Sequence, residues 1–265
     1  MLRSSFKTGV VPIRDRPDVV GRSLATVRAA TIVEGRVEVR EHPDPVPGKG
    51  ERLVRVRSAG VNAADLMQMQ GLYPAPVGSP PDIPGLELAG EVEAIGDGVH
   101  RFEVGSWVMA VVGGGAQAEL AVVHERVALP VPASLGLLLA GGFPEAFTTA
   151  HDALFTQCGL QPGERLLVHA AAGGVGTAAV QLGAATGARV TATVRNPALR
   201  DAVAGLGATT VIDPEEAAAH GPFDVVLELI GGPNLATDLD TLAVGGRIAV
   251  IGVGAGALPT LPGST

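Results

Sequence analysis

Cysteine, aromatic side chains and basic residues are all scarce in this 265-residue chain, which has one Cys, six Phe, one Trp and one Tyr, and 19 Lys and Arg against 27 Asp and Glu. A single cysteine, Cys158, cannot close an internal disulfide. No secretory leader with a compact apolar core opens the chain, so a reducing, cytoplasmic compartment is expected. Charge is missing altogether over 166–188, but that stretch is mostly alanine and is broken by His169, Gln181 and several glycines. Such a segment is a poor lipid-facing helix, and no membrane span is expected. The net charge of −8 is uneven: residues 1–28 carry +4 and the remainder −12. An acidic body with few aromatics offers no footprint for a nucleic-acid backbone. The basic start, which also holds Asp15, Asp18, Pro12 and Pro17, reads as a disordered extension or as a start codon placed too far upstream; a mitochondrial leader is the alternative.

What is present is 46% hydrophobic residue content, enough for an ordinary core, and two contrasting textures. Short β-like segments punctuated by glycine and proline fill 26–33, 36–40, 52–58, 86–95, 107–112 and 119–123. Several alternate apolar with polar residues, as Val54 and Val56 do against Arg55 and Arg57. After Pro132 the pattern becomes strand, helix, strand: strands at 165–170, 189–194, 209–212, 224–230 and 247–252, with helices at 174–187, 197–206 and 234–242. Strands separated by helices of this length imply parallel pairing through right-handed crossovers. The fold class expected is α/β, a β-rich domain (29–149) followed by a doubly wound parallel sheet (150–265).

The first strand-to-helix junction reads Ala170-Ala171-Ala172-Gly173-Gly174-Val175-Gly176. Small residues there let the backbone approach a pyrophosphate, whose charge meets the free N–H groups of the following helix. The helix is expected to place Val175, Ala178, Ala179, Leu182 and Ala185 on one face. A sheet of this kind that prefers NADH ends its second strand on a carboxylate for the ribose 2′-OH. Here the strand ends Ala192-Thr193-Val194-Arg195-Asn196, and Arg195, with Arg200 beyond it, suits a 2′-phosphate instead. NADPH is the expected cofactor.

With that turn in place, the chain closely resembles the quinone oxidoreductase (zeta-crystallin-like) branch of the medium-chain dehydrogenase/reductase superfamily over about residues 27 to 257. The likeness is carried by Ala59-Gly60-Val61-Asn62-Ala63-Ala64-Asp65, Gly71-Leu72-Tyr73-Pro74, Pro84-Gly85-Leu86-Glu87-Leu88-Ala89-Gly90, Pro144-Glu145-Ala146-Phe147-Thr148-Thr149-Ala150, His169 through Gly176, Asp224-Val225-Val226-Leu227-Glu228 with Gly231-Gly232, and Gly245-Gly246-Arg247. The resemblance implies a GroES-like β domain before a Rossmann domain, with the nicotinamide in the cleft between them. It also implies Thr149 and Gly252 as cofactor contacts besides the turn residues Ala170, Gly173, Gly174, Val175 and Gly176.

Catalytic zinc needs thiolate and imidazole ligands, and a structural zinc lobe needs several cysteines. Where zinc alcohol dehydrogenases carry a Cys ligand this sequence has Asn62, and where they carry a Gly-His-Glu triplet it has Gly85-Leu86-Glu87. No metal is expected. Without one, the work left is to position an electron-poor acceptor and to donate hydrogen bonds to the oxygen that gains charge. Asn62 can donate through its amide and Tyr73 is the chain's one phenol; the resemblance places both near the nicotinamide and substrate. Asp65 reads as a helix cap, and His124, His151 and His169, which lack the spacing of a triad or metal site, read as structural.

NADPH-dependent reduction of a quinone or related conjugated carbonyl is the leading function. An enoyl or alkenal double-bond reductase is the alternative, and a dinucleotide-binding protein with little catalysis is a third. The third gains from the ending Leu258-Pro259-Thr260-Leu261-Pro262-Gly263-Ser264-Thr265, which cannot supply the last Rossmann strand and the C-terminal return of family members. The chain reads as truncated there, with reduced stability and activity expected. In the family the sixth strand lies at the dimer interface, so its absence argues against the usual homodimer.

Overall fold

A computed structural model describes residues 11–12 and 26–252. Most of the N-terminal extension and the whole ending 258–265 lie outside the described residues. The chain divides into two compact units, which part between Glu145 and Ala146.

The first unit is antiparallel. Its strands are β1 (Val11–Pro12), β2 (Thr26–Val33), β3 (Arg36–Pro43), β4 (Glu51–Ala59), β5 (Glu87–Ile95), β6 (Trp107–Val111), β7 (Leu120–His124) and β8 (Ala128–Pro130). β2 and β3 form a separate hairpin, while the others make a sheet ordered β1-β4-β5-β6-β8, with β7 also paired to β4. The alternation read in the sequence is the reason β4 works as a central strand. Val54 and Val56 are buried against Leu88, Val92, Val108 and Val123, and the intervening arginines reach the rim. Two short helices, α1 (Ala63–Met69) and α2 (Leu137–Ala140), belong to this unit; neither stood out in the sequence because each is only one or two turns long.

α3 (Pro144–His151) crosses from one unit to the next. The second unit then follows the expected order: β9 (Arg165–Val168), α4 (Gly174–Thr186), β10 (Arg189–Thr193), α5 (Arg200–Ala204), β11 (Thr210–Ile212), α6 (Ala217–His220), β12 (Phe223–Glu228), α7 (Leu235–Asp240) and β13 (Leu242–Val250). All five strands are parallel, in the order β11-β10-β9-β12-β13. This is the Rossmann arrangement, with the reversal of winding between β9 and β12. The GroES-like unit and this sheet together make the expected α/β fold.

β9 is central and has no polar face. Leu166 and Val168 pack toward α4, while Leu167 packs on the opposite side with Ile212, Ala217, Phe223 and Val226. Of the expected face of α4, Ala178 and Ala179 are buried and Val175 and Leu182 pack against the core, while Ala185 is exposed; Gly176, Val180 and Gly183 are buried as well. Counting apolar bulk overlooked the glycines that allow the helix to lie close: a Cβ on Gly183 would sit 2.7 Å from Leu166 Cδ2. Gly187, at φ 85°, ends the helix in the left-handed conformation. No helix among the described residues is long and apolar enough to cross a membrane.

Candidate functional site

Chemistry-bearing residues gather in two places, one in each unit. In the parallel unit they lie at the carboxyl ends of the strands, where ligands of open α/β sheets bind. The chain leaves β9 through His169, takes a left-handed step at Ala170 (φ 47°) and closes a tight turn with the Gly173 amide donating to the Ala170 carbonyl at 2.9 Å. Gly173 is the N-cap of α4 and has no side chain to cap it. The first amides of the helix, at Gly174, Val175 and Gly176, have no intrahelical acceptor and carry the positive end of the helix dipole. A Cβ on Gly176 would lie 2.5 Å from the Ala170 carbonyl oxygen and 2.7 Å from Ala171 Cα, so helix and turn approach as closely as a phosphate cradle requires.

Beside the turn runs a groove of about 590 Å³ lined by Ala170, Ala172, Gly173, Thr193, Val194, Arg195, Asn196, Leu229 and Ile230, with Pro214 at its edge. Arg195 is exposed there and β10 ends without a carboxylate. Turn and groove together fit a dinucleotide. Gly252 closes against the same sheet edge. Its amide donates to the Glu228 carbonyl at 3.2 Å, and a Cβ would run into the Leu229 carbonyl.

Arg200 is engaged in the fold: Nε donates to the Val194 carbonyl at 3.1 Å and Nη2 to Asp213 at 2.8 Å. Asp213 is the cap of the following turn, so this pair ties the end of β10 to the end of β11. Thr149 is half-buried on α3.

Behind the groove, under α7, lies a polar cluster that the sequence did not reveal. His169 Nε2 is 2.8 Å from Asp238 Oδ1 and 3.8 Å from Glu228 Oε2, its Nδ1 is 3.2 Å from Thr193 Oγ1, and all three titratable side chains are buried. Glu228 also accepts from the amides of Ile230 and Gly231 and from Asn234 Nδ2 at 3.0 Å, which fixes the loop that forms one groove wall. Among the described residues this is the one group of three His, Cys, Asp or Glu side chains close enough to share an ion. His169 is hydrogen-bonded to Asp238 and Glu228 to the loop, while Asp238 Oδ2 is buried without a hydrogen-bond partner. His169 and Asp238 are 69 positions apart, and no local pattern links them.

In the antiparallel unit the focus is Asn62, the N-cap of α1. Its backbone amide donates to Asp65 Oδ2 at 2.7 Å, and Asp65 Oδ1 accepts from Gly85 N at 2.8 Å. Asp65 is thus the capping residue expected, and also a clamp on the segment leading into β5. Asn62 Nδ2 donates to Glu87 Oε1 at 2.9 Å, and Glu87 Oε2 accepts from the Glu145 amide at 3.0 Å. Glu87 is 2% exposed and Asp65 5%. Burial pushes both carboxyls above their ordinary range, with the amides that donate to them pulling the other way. Tyr73 stands on the loop after α1, 43% exposed. Glu87 escaped notice as a site residue, although one charge inside the apolar run from Ile83 to Gly90 was a usable signal. Cys158 is buried, and burial raises its thiol, as suits a small core residue.

Residues 48–133 match the family Alcohol dehydrogenase GroES-like domain and residues 174–265 match Zinc-binding dehydrogenase. The chain is 35% identical over 248 residues to a phenolphthiocerol/phthiocerol polyketide synthase of Mycobacterium tuberculosis, covering 89% of this chain and 11% of that one. It is 33% identical over 219 residues to the quinone oxidoreductase of Rattus norvegicus, covering 78% and 66%. A solved quinone oxidoreductase from Pseudomonas syringae pv. Tomato DC3000 superposes with a TM-score of 0.79 at 31% identity, covering 90% of this chain and 77% of that one. The chain thus spans from about a ninth to about two thirds of the length of these curated relatives. The second family's name carries zinc, but the residues here do not fit that ion. Asn62 offers an amide already bonded to Glu87, and Leu86 offers nothing. By both domain matches and by the solved relative, the chain belongs to the medium-chain dehydrogenase/reductase superfamily, alongside its quinone oxidoreductases.

Proposed function

We propose that the protein is an NADPH-dependent oxidoreductase that reduces a quinone or related conjugated carbonyl without a metal. The observation that carries this reading is the glycine turn opening onto a groove whose rim holds Arg195 and no carboxylate. When bound, NADPH supplies the hydride; a proton from solvent completes reduction of the quinone to hydroquinone. Ala170, Gly173, Gly174, Val175 and Gly176 would hold the pyrophosphate through backbone amides, Arg195 the 2′-phosphate, and Thr149 and Gly252 the rest of the dinucleotide. Asn62, by its free amide hydrogen, and Tyr73, by its phenol, would donate to the acceptor oxygen as it gains charge. A donor so placed contributes about 10²–10³ in rate.

The test is fluorescence titration with NADPH and NADH, followed by steady-state oxidation against a quinone panel and an enone panel. Tighter binding of NADPH than NADH is expected. Arg195→Ala should weaken NADPH about 10- to 100-fold, the range of a charge-assisted pair, and leave NADH unchanged. Equal affinity for both, untouched by Arg195→Ala, refutes the cofactor assignment. Turnover of enones but not quinones moves the activity to double-bond reduction, and binding without turnover of either overturns the enzymatic reading.

A further inference from the structure

An asparagine at a helix cap can present either end of its amide, and only the nitrogen end can donate to an oxygen gaining charge. We infer that Glu87 is a positioning residue that sets the orientation of the Asn62 amide, committing one Nδ2 hydrogen to itself so that the other is offered to the acceptor. This rests on the assignment of Asn62 as the acceptor-side donor.

Glu87 opens β5 and is almost wholly buried. As a carboxylate it can only accept, so Asn62 must face it with nitrogen rather than oxygen. The 2.9 Å contact from Nδ2 to Oε1 takes one of two hydrogens and leaves the second, with Oδ1, uncommitted to Glu87. The carboxylate cannot swing to another partner. Its second oxygen is held by the Glu145 amide at 3.0 Å. On its other side Gly60 passes so close that a Cβ there would overlap Oε1 and sit 2.5 Å from Cδ. Asp65 fixes the Asn62 backbone and, through the capping box, its backbone amide meets the Asn62 side chain from the oxygen end; what Glu87 adds is the partner for the nitrogen end. A carboxyl taken out of water is costly to the fold unless its acceptors are used. Here both bonds go to neutral amides, which is an expensive way to fill space and an effective way to orient an amide. Glutamine, of the same size, would present its own NH₂ and let Asn62 reverse.

A double-mutant cycle tests this in the full chain: wild type, Glu87→Gln, Asn62→Ala and the double variant. kcat and KM are measured with one quinone at saturating NADPH, alongside the NADPH Kd and the thermal midpoint. Expected are losses in kcat of about 100-fold for Asn62→Ala and about 10-fold for Glu87→Gln, with the double variant no slower than Asn62→Ala and the NADPH Kd unchanged throughout. A merely structural role would give losses that multiply, and that result, or full kcat in Glu87→Gln, overturns the inference while leaving the function intact. Full kcat in Asn62→Ala instead removes the assignment of Asn62 and the inference with it. If Glu87→Gln fails to fold, the wild type suffices. The Asn62 side-chain amide signals, identified by their loss in Asn62→Ala, should show one proton in a strong bond throughout and the other shifting when hydroquinone is added with NADP⁺. A second proton that does not move contradicts the inference.

Discussion

Two pairs of carboxylates, one in each unit, are held in opposite ways. In the antiparallel unit Asp65 and Glu87 are sunk around one loop and satisfied by amide donors, from Asn62, Gly85 and Glu145. In the parallel unit Glu164 and Asp224 sit at the amino ends of the strands against arginines. Arg247 grips Glu164 with two nitrogens at 2.9 Å and also donates to the carbonyls of Cys158, Gly159 and Asp224, and Arg165 reaches Asp224. Charge pairing at the amino ends of the strands fastens them together, as Arg200 with Asp213 does for β10 and β11 at the other end. At the turn, the backbone is left bare for a ligand.

The strongest way to break the contrast is to fill the bare edge. Gly176→Val places a side chain on the Ala170 carbonyl and should abolish NADPH binding, a loss of more than about 100-fold by fluorescence titration. Hydrogen exchange in β4 and β5 should stay as in the wild type; retained binding would mean that the turn is not the cradle. Next in size is Arg247→Met, which strands Glu164 and three carbonyls. A cost of about 2 kcal/mol is expected, read from chemical denaturation, with protection lost at β9, β12 and β13 first. No change would reduce the pair to surface decoration.

Acidification sharpens the comparison by sign. The Arg247 hydrogen bonds hold Glu164 below the ordinary carboxylate range of about 4.5, and the Arg165 amide holds Asp224 below 3.8. Their stabilisation is present above those values and is lost as pH falls through the lowered ones. Asp65 and Glu87 are raised by burial, so their contribution is full below the ordinary values and is lost as pH rises through the raised ones. Glu125, a half-buried carboxylate in the first unit, is lowered chiefly by the His100 amide and follows the second unit's sign. As pH falls from 7 to below 3.8, hydrogen-exchange protection should fall at β9 and β12 and hold or rise around α1 and the start of β5. The reverse ordering would contradict the assignment. Smallest of all, Arg200→Gln should cost about 0.5 kcal/mol through its half-exposed pair with Asp213 and leave the NADPH-to-NADH preference within about threefold. A larger change in preference would restore Arg200 to the cofactor site.

The sequence was most legible where the chemistry is local. The glycine turn, the strand after it and the missing carboxylate at Asn196 all fall within one βαβ stretch, where spacing alone dictates geometry. The five parallel strands were placed within a few residues, and α4 was located with most of its inward face, but the closest contacts, made by glycines, were missed. Arg200 has a partner in Asp213, just past the next strand, and two nearby cations on a sequence say nothing of which is already paired. His169 with Asp238 and Asn62 with Glu87 are pairs made by sheet register and helix packing, 69 and 25 positions apart. Such pairs are not visible in a single sequence.

α4 holds no charged residue from Gly174 to Thr186. A pyrophosphate at its start would meet dipoles alone, and the groove's cation, Arg195, would act on the 2′-phosphate as a point charge in open solvent. Dipoles at contact are nearly indifferent to salt, whereas an exposed ion pair weakens once the screening length drops below about 10 Å. Ionic strength therefore becomes a dial on cofactor choice: raising it should erode the hold on NADPH while sparing NADH, so that selectivity narrows without any change in the protein.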